Sequence, residues 1–172
     1  MTFFESPAHT ARALQGMRSM IPLLPGIIPF GLIAGLTPIT LGYHWSDSIL
    51  ASIWMFAGAS QLAAYQLIGE GASIWVILMT VAAINLRYVL YSASMAPFLT
   101  EASRPVRLLA GYGLTDQIYA IAYRDFPVNN WNLSERLAYY FGGTLLIWLL
   151  WQSCVLAGAL VGQIVPAMWS LE

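Results

Sequence analysis

The sequence predicts an all-α integral membrane protein, from its apolar composition, its scarcity of charge and its succession of long hydrophobic segments. Of the 172 residues, 59% are hydrophobic and 9% are charged, whereas a soluble domain carries about 25% charged residues. A transmembrane helix needs roughly 20 apolar residues. About five hydrophobic segments follow one another along the chain, the first and fourth of which we expect to be broken or re-entrant.

The first 19 residues predict a polar N-terminal arm. They contain Glu5, His9, Arg12 and Arg18 and lack the continuous apolar core of a signal peptide. Residues 20–166 are then expected to form a single transmembrane helical domain. Residues 167–172 form the C-terminal end.

The first hydrophobic segment, residues 20–41, is interrupted by proline and glycine. Each proline removes a backbone donor and clashes with the preceding turn, so that a freed carbonyl at membrane depth needs another partner. The segment is therefore expected to be a broken or re-entrant helix, and the residues assigned to the break are Pro25, Gly26, Pro29 and Gly31.

The second and third segments, residues 48–68 and 73–95, are each long enough to cross a membrane. Only the tight turn Gly69-Glu70-Gly71 separates them. An antiparallel helical hairpin is therefore expected.

The fourth and fifth segments differ in strength. Residues 108–123 are short and contain Gly111, Gly113 and Asp116, so they form the weakest span. The fifth segment, residues 137–165, follows Ser134 and Glu135, which suit a helix start, and it is the longest apolar stretch. Tryptophans near it, such as Trp148 and Trp151, are expected to mark membrane position.

Glycine spacing predicts close helix packing at two places. The pairs Gly31 and Gly35, and Gly158 and Gly162, are each four residues apart. This spacing allows two helix backbones to approach closely. We interpret both pairs as packing contacts.

The arginines leave the topology open. If the first segment returns to the side from which it entered, Arg12, Arg18, Arg104 and Arg107 share the cytoplasmic face, in agreement with the positive-inside rule. Three full crossings would place Arg104 and Arg107 outside. The sequence indicates a multi-pass protein of the cytoplasmic membrane without fixing the number of crossings.

Arg87 lies within the third segment and is a candidate for binding a substrate anion. An arginine at the centre of a membrane helix costs about 2.5 to 3.5 kcal/mol on insertion scales, so a partner must offset this cost. Tyr91 shares its helix face and Asn85 lies on the adjoining one. Alternatively, Arg87 lies near the end of its span and extends to the interface.

Asp116 is the natural counter-charge to Arg87 and the candidate for proton coupling. An intramembrane carboxylate must be paired, protonated or bound to a ligand. A purely structural ion pair, or a carboxylate in a short wet loop, is the alternative. Gln61, in the middle of the second segment, is a candidate substrate-binding amide or, alternatively, a packing contact between helices.

Composition and motifs exclude several functions. The seven basic residues, all arginine, oppose eight acids for a net charge of −1, which leaves no basic surface for nucleic acid. Cys154 is the only cysteine, and no hydrolytic or metal-binding motif is present. We therefore predict no nucleic-acid partner, no metal, no cofactor and no enzymatic activity. Broken helices beside a few intramembrane polar residues favour a carrier.

Four motifs resemble those of the AzlC family of branched-chain amino acid exporters, and in order and spacing they cover nearly the whole chain. They are Pro25-Gly26-Ile27-Ile28-Pro29-Phe30-Gly31, Phe56-Ala57-Gly58-Ala59-Ser60-Gln61, Asn85-Leu86-Arg87-Tyr88 and Leu114-Thr115-Asp116-Gln117. Two positions differ from the family pattern. Tyr88 stands where a histidine is common, and Gln117 stands where an acid often follows the aspartate.

The resemblance implies export of valine, leucine and isoleucine, together with a small membrane subunit of the AzlD type and surrounding lipid. Arg87 would hold the substrate carboxylate and Asp116 the ammonium, while Phe56 would line an aliphatic pocket. Family members are commonly longer. A truncated, non-transporting fragment or assembly subunit is the alternative expectation.

Overall fold

A computed structural model describes residues 7–164 of the chain, and this part is all-α. Within it lie eight α-helices and two short 3-10 turns, with no strand. The helices are α1 (Pro7–Met20), α2 (Leu24–Thr40), α3 (Trp45–Trp54), α4 (Gly58–Gly69), α5 (Ile74–Met95), α6 (Arg104–Tyr112), α7 (Asp116–Asp125) and α8 (Leu133–Ile164). The predicted fold class is confirmed. The predicted C-terminal end, residues 167–172, lies outside the described residues.

Three helical stretches of the described chain are long and apolar enough to cross a membrane. They are Ala8–Thr40, Ile74–Leu99 and Leu133–Ile164. The first contains most of the predicted polar arm, since residues 7–19 are helical and belong to α1. The last two correspond to the third and fifth predicted segments.

The predicted break in the first segment is corrected. Helix α2 continues through Pro25, Gly26, Pro29 and Gly31, and only the 3-10 turn Ile21–Leu23 precedes it. Pro25 lies in the first turn, where its missing N–H has no intrahelical partner to lose. The donor lost at Pro29 would have bonded the carbonyl of Pro25, so that the cost falls at the helix start.

The second segment is broken, although a continuous helix was predicted. Helix α3 ends at Trp54 and α4 begins at Gly58, with residues 55–57 non-helical between them. Aromatic packing occupies the space beside Gly58, where an added Cβ would overlap the rings of Trp151 and Phe30. Residue 58 must therefore be glycine for these rings to reach the backbone.

The remaining boundaries follow the predictions. The turn between α4 and α5 contains Gly71 with a φ of +70°, a left-handed conformation that glycine adopts without strain. The fourth segment is broken at residues 113–115, between α6 and α7. Helix α8 begins at Leu133, next to the predicted start.

The described residues divide into two compact units. The first contains residues 7–24 and 86–149, and the second contains residues 25–85 and 150–164. The single transmembrane domain proposed for residues 20–166 stays a prediction, since its residues are shared between these units.

In the first unit, α1 packs closely on the first half of α8. A Cβ added to Gly16 would overlap the backbone of Tyr139, and one added to Gly142 would overlap the backbone of Ala13. An ion pair of 3.1 Å between Arg12 and Glu135 lies along the same contact. Because Gly16 and Gly142 lack a side chain, the backbones of α1 and α8 come into contact.

In the second unit, α2 packs in the same manner on the second half of α8. A Cβ on Gly35 would overlap the carbonyl of Val155, and one on Gly158 would overlap the carbonyl of Leu32. Helices in lipid gain little from hydrophobic burial against each other, so that close packing of this kind stabilises them. The packing predicted for Gly31, Gly35, Gly158 and Gly162 is present, since each would clash with the opposite helix if it carried a Cβ.

Replacing Gly35 by alanine should therefore destabilise the protein by about 1–3 kcal/mol or more, as overpacking does in other cores. Gly26→Ala is the matched control on α2, because a Cβ there would have nothing within 4 Å. The thermal unfolding of both purified variants in detergent would check this. Equal unfolding temperatures for the two would contradict the packing contact.

Candidate functional site

The break between α6 and α7, in the first unit, places an acid at the start of a half-length helix. Thr115 is the N-cap of α7 and its hydroxyl accepts a hydrogen bond from the backbone N–H of Ile118 at 3.4 Å. Asp116 is the first residue of the helix. A carboxylate at this position is stabilised by the partial positive charge of the helix N-terminus.

Arg87 of α5 forms an ion pair with this carboxylate. Its Nη1 lies 2.8 Å from Oδ2 of Asp116, and the two side chains are 30% and 41% exposed. The predicted pairing of Arg87 with Asp116 is therefore present. Arg87 is held by a counter-charge within its own unit, as expected if its insertion cost is to be offset.

The ion pair is only partly satisfied. Oδ1 of Asp116 and Nε of Arg87 are both inaccessible and have no hydrogen-bond partner among the described residues. A buried polar network with unmade bonds is costly. The pair therefore retains one acceptor and one donor that a ligand or water would satisfy.

Tyrosines surround the ion pair. The guanidinium carbon of Arg87 lies 5.0 Å from the ring centroid of Tyr88, whose hydroxyl accepts a 3.4 Å hydrogen bond from Nη2. Tyr91 is an electrostatic neighbour of Asp116 and stacks on Tyr119 with ring centroids 4.1 Å apart. These rings hold α5 and α7 together beside the charges.

The break between α3 and α4, in the second unit, is lined by serine and glutamine. The indole N–H of Trp151 donates a 2.7 Å hydrogen bond to Ser52, and the hydroxyl of Ser60 donates to the carbonyl of Ala57 at 2.9 Å. Gln61 is 1% exposed, and neither amide atom has a hydrogen-bond partner among the described residues. This break contains buried polar groups without a charge of their own.

The predicted binding residues fall into both units. Arg87, Asp116 and Tyr91 come together in the first, whereas Asn85, Gln61 and Phe56 belong to the second. Asn85 has a buried Oδ1 without a partner in the described structure. Their roles in binding stay predictions.

Sequence reasoning missed the hydrogen bond between Trp151 and Ser52. The sequence predicts that Trp151 marks membrane position, but it is 6% exposed and its indole N–H is satisfied inside the protein. Ser52 and Trp151 are 99 residues apart. Only the fold brings them together.

A second charged cluster lies at the C-terminal end of α7. Arg124 binds both carboxylate oxygens of Asp125, at 2.7 and 2.9 Å, and the hydroxyl of Tyr139 donates to the same carboxylate. The hydrogen bond from Arg124 lowers the pKa of Asp125, against the opposing effect of burial. The carboxylate is saturated with donors, so that this cluster is structural.

Comparison with known proteins identifies the family. The family described as AzlC protein matches residues 22–165, which include both breaks and the ion pair. The chain belongs to the AzlC family.

Three relatives of this AzlC chain are membrane proteins. The inner membrane protein YgaZ of Escherichia coli K12 is 29% identical over 155 residues, covering 90% of this chain and 62% of the relative. Uncharacterized membrane proteins of Archaeoglobus fulgidus and Helicobacter pylori 26695 are 28% and 26% identical, covering 82% and 88% of this chain. The chain thus spans 62% to 64% of the length of these relatives. No solved structure matches it.

The ion pair of this AzlC protein should be non-additive in stability. Arg87→Gln or Asp116→Asn alone leaves one unpaired charge, whereas the double variant leaves none, and an unpaired charge in a membrane helix is costly. The double variant should therefore unfold at a higher temperature than either single variant. Additive losses, measured by thermal unfolding in detergent, would show that the two charges do not stabilise each other.

Proposed function

We propose that this chain is the large subunit of a branched-chain amino acid exporter in the inner (cytoplasmic) membrane. The observation that carries the proposal is the Arg87–Asp116 ion pair, 2.8 Å long and incompletely hydrogen-bonded, at the start of a half-length helix in an AzlC family protein. This role makes the chain a carrier for valine, leucine and isoleucine and not an enzyme.

The charges of the pair complement those of an amino acid. A zwitterion carries a carboxylate that suits the fork of Arg87 and an ammonium that suits Asp116. Substrate would enter by exchange, each of its charges replacing one partner of the ion pair. The unpaired Oδ1 and Nε atoms give the substrate contact points before the pair opens.

Asp116 is also the proposed proton carrier. The proton and the substrate ammonium would compete for this carboxylate, because a protonated Asp116 has no charge with which to attract the ammonium. In the family pattern, a histidine is common at position 88 and an acid often stands at position 117. This chain has Tyr88 and Gln117 there, so we assign the proton coupling to Asp116.

The architecture supports a carrier on separate grounds. Each unit contains a pair of short helices interrupted by three residues, at 55–57 and at 113–115. Secondary transporters commonly bind substrate beside discontinuous helices, whose termini offer backbone groups at membrane depth. Gln61, Asn85, Tyr91 and Phe56 are the further residues that we propose for substrate binding.

A small AzlD-type subunit is the proposed partner, and it gives the first test. Cells that lack their own exporters should release preloaded labelled valine when they express this chain together with such a subunit. With the protein confirmed in the membrane, efflux that requires both subunits supports the proposal. Lack of efflux in every combination, for valine, leucine and isoleucine alike, would refute it.

The ion pair gives the second test. Arg87→Ala should reduce efflux, normalised to the amount of protein in the membrane, to the background of cells without the chain, because it removes the anion-binding group. Arg104→Ala is the matched control, since Arg104 is an exposed arginine at the start of α6. Unchanged efflux from Arg87→Ala would remove Arg87 from the mechanism.

A further inference from the structure

The first turn of α4, in the second unit, has an uncompensated positive end. Its N-cap, Ala57, makes no side-chain capping bond, and among the described residues the first turn carries no acid. The opening N–H groups of an α-helix lack intrahelical acceptors. Together they carry a partial positive charge that attracts anions.

Gln61 adds an unpartnered amide to the same turn. It is the fourth residue of α4, and because helical side chains lean toward the N-terminus we expect its amide near the opening turn. The side chain is 1% exposed, and both Nε2 and Oε1 lack hydrogen bonds within the described structure. Buried amides are almost always hydrogen-bonded, which indicates that a partner binds here.

The surroundings of the turn are rigid and already satisfied. The rings of Trp151 and Phe30 pack against Gly58, with centroids 5.8 Å apart. Trp151 donates to Ser52, and the hydroxyl of Ser60 donates to the carbonyl of Ala57. At this turn, the donors left for a ligand are Nε2 of Gln61 and the opening N–H groups of α4. Nε2 of Gln152, in α8, is a further buried donor of this unit without a partner in the described structure.

The charge of this unit restricts the anion. All seven arginines lie in the first unit and the chain has no lysine, so that residues 25–85 and 150–164 contain neither. Phosphate-like dianions are typically bound by arginine or lysine. A single planar carboxylate needs only the few neutral donors that this turn supplies.

We propose that the α3–α4 break binds the carboxylate of a small organic acid, held by the opening N–H groups of α4 and by Nε2 of Gln61. The site goes beyond the proposed export function; it shares Gln61 with the residues proposed there for substrate binding, but it involves neither Arg87 nor Asp116. Its ligand needs no ammonium group and no contact with Asp116.

The test uses the purified chain and a pair of probes with the same carbon skeleton. Sodium 4-methylpentanoate carries the carboxylate, and 4-methylpentanamide replaces it by a neutral amide. A ligand that binds only the folded state raises the unfolding temperature as its concentration increases. We expect the carboxylate to raise this temperature, and neither the amide nor sodium chloride of equal ionic strength to do so.

Two substitutions of Gln61 assign the response to this turn. Gln61→Leu removes the donor and should weaken carboxylate binding ~10-fold or more, since a hydrogen bond to a charged group is lost. Gln61→Glu introduces a like charge and should abolish the response. Gln66→Leu and Gln66→Glu are the matched controls, because Gln66 is exposed on the same helix, and both should respond like the unmodified chain.

Three outcomes would overturn the site. The first is that the carboxylate has no effect on the unmodified chain, in which case Gln61 is satisfied by water alone. The second is an equal response to the amide or to chloride. The third is a response that survives in Gln61→Glu or disappears only in Arg87→Ala, which would assign the anion to Arg87. Since the probes are not amino acids, failure of valine efflux would leave this result unaffected.

Discussion

The membrane interior lacks water, so that each backbone N–H and C=O placed there needs a partner within the protein. This constraint shapes both helix breaks of the chain. At residues 113–115 the side chain of Thr115 caps α7, and Asp116 takes Arg87 as its counter-charge. At residues 55–57 a serine hydroxyl satisfies the carbonyl of Ala57, while Gln61 is left without a partner in the described structure. The unpartnered atoms of Asp116 and Gln61 lie beside the two interruptions, where a ligand could supply the missing hydrogen bonds.

Helix α8 supports both interruptions, because each compact unit is packed on one part of it. Gly16 and Gly142 bring backbones together in the first unit, and Gly35 and Gly158 do so in the second. Such contacts depend on missing side chains and not on hydrophobic burial, which lipid would supply equally well. The long helices are held by these packing contacts. The ends of the short helices α3, α4, α6 and α7 are left to contact polar groups or ligands.

The sequence was sufficient for the helical membrane fold, the turn between α4 and α5, the long last helix and the meeting of Arg87 with Asp116, because composition, glycine and intramembrane charge act locally or demand a partner. It was insufficient for the breaks of the first two segments. Proline content predicted a break within α2, but Pro25 lies in the first turn, where its missing donor costs little. At the break of residues 55–57, the ring of Trp151 packs against Gly58. The two residues are far apart in the sequence, so that no local pattern predicts this contact.

Both breaks are three-residue interruptions that end at the N-terminus of a short helix, but the charges beside the two N-termini differ. Helix α7 starts with an acid whose charge is balanced by Arg87, so that its N-terminus is already neutralised and the ion pair must open before another anion can enter. Helix α4 starts with Gly58 in a unit without lysine or arginine, so that its dipole and Gln61 would provide the attraction for the proposed anion. An ion pair contains a group that can take up a proton, whereas a helix dipole and an amide do not titrate. The proposed proton coupling therefore belongs to the first break and the proposed site for a small organic acid to the second, even though both arise from a three-residue interruption of a helix.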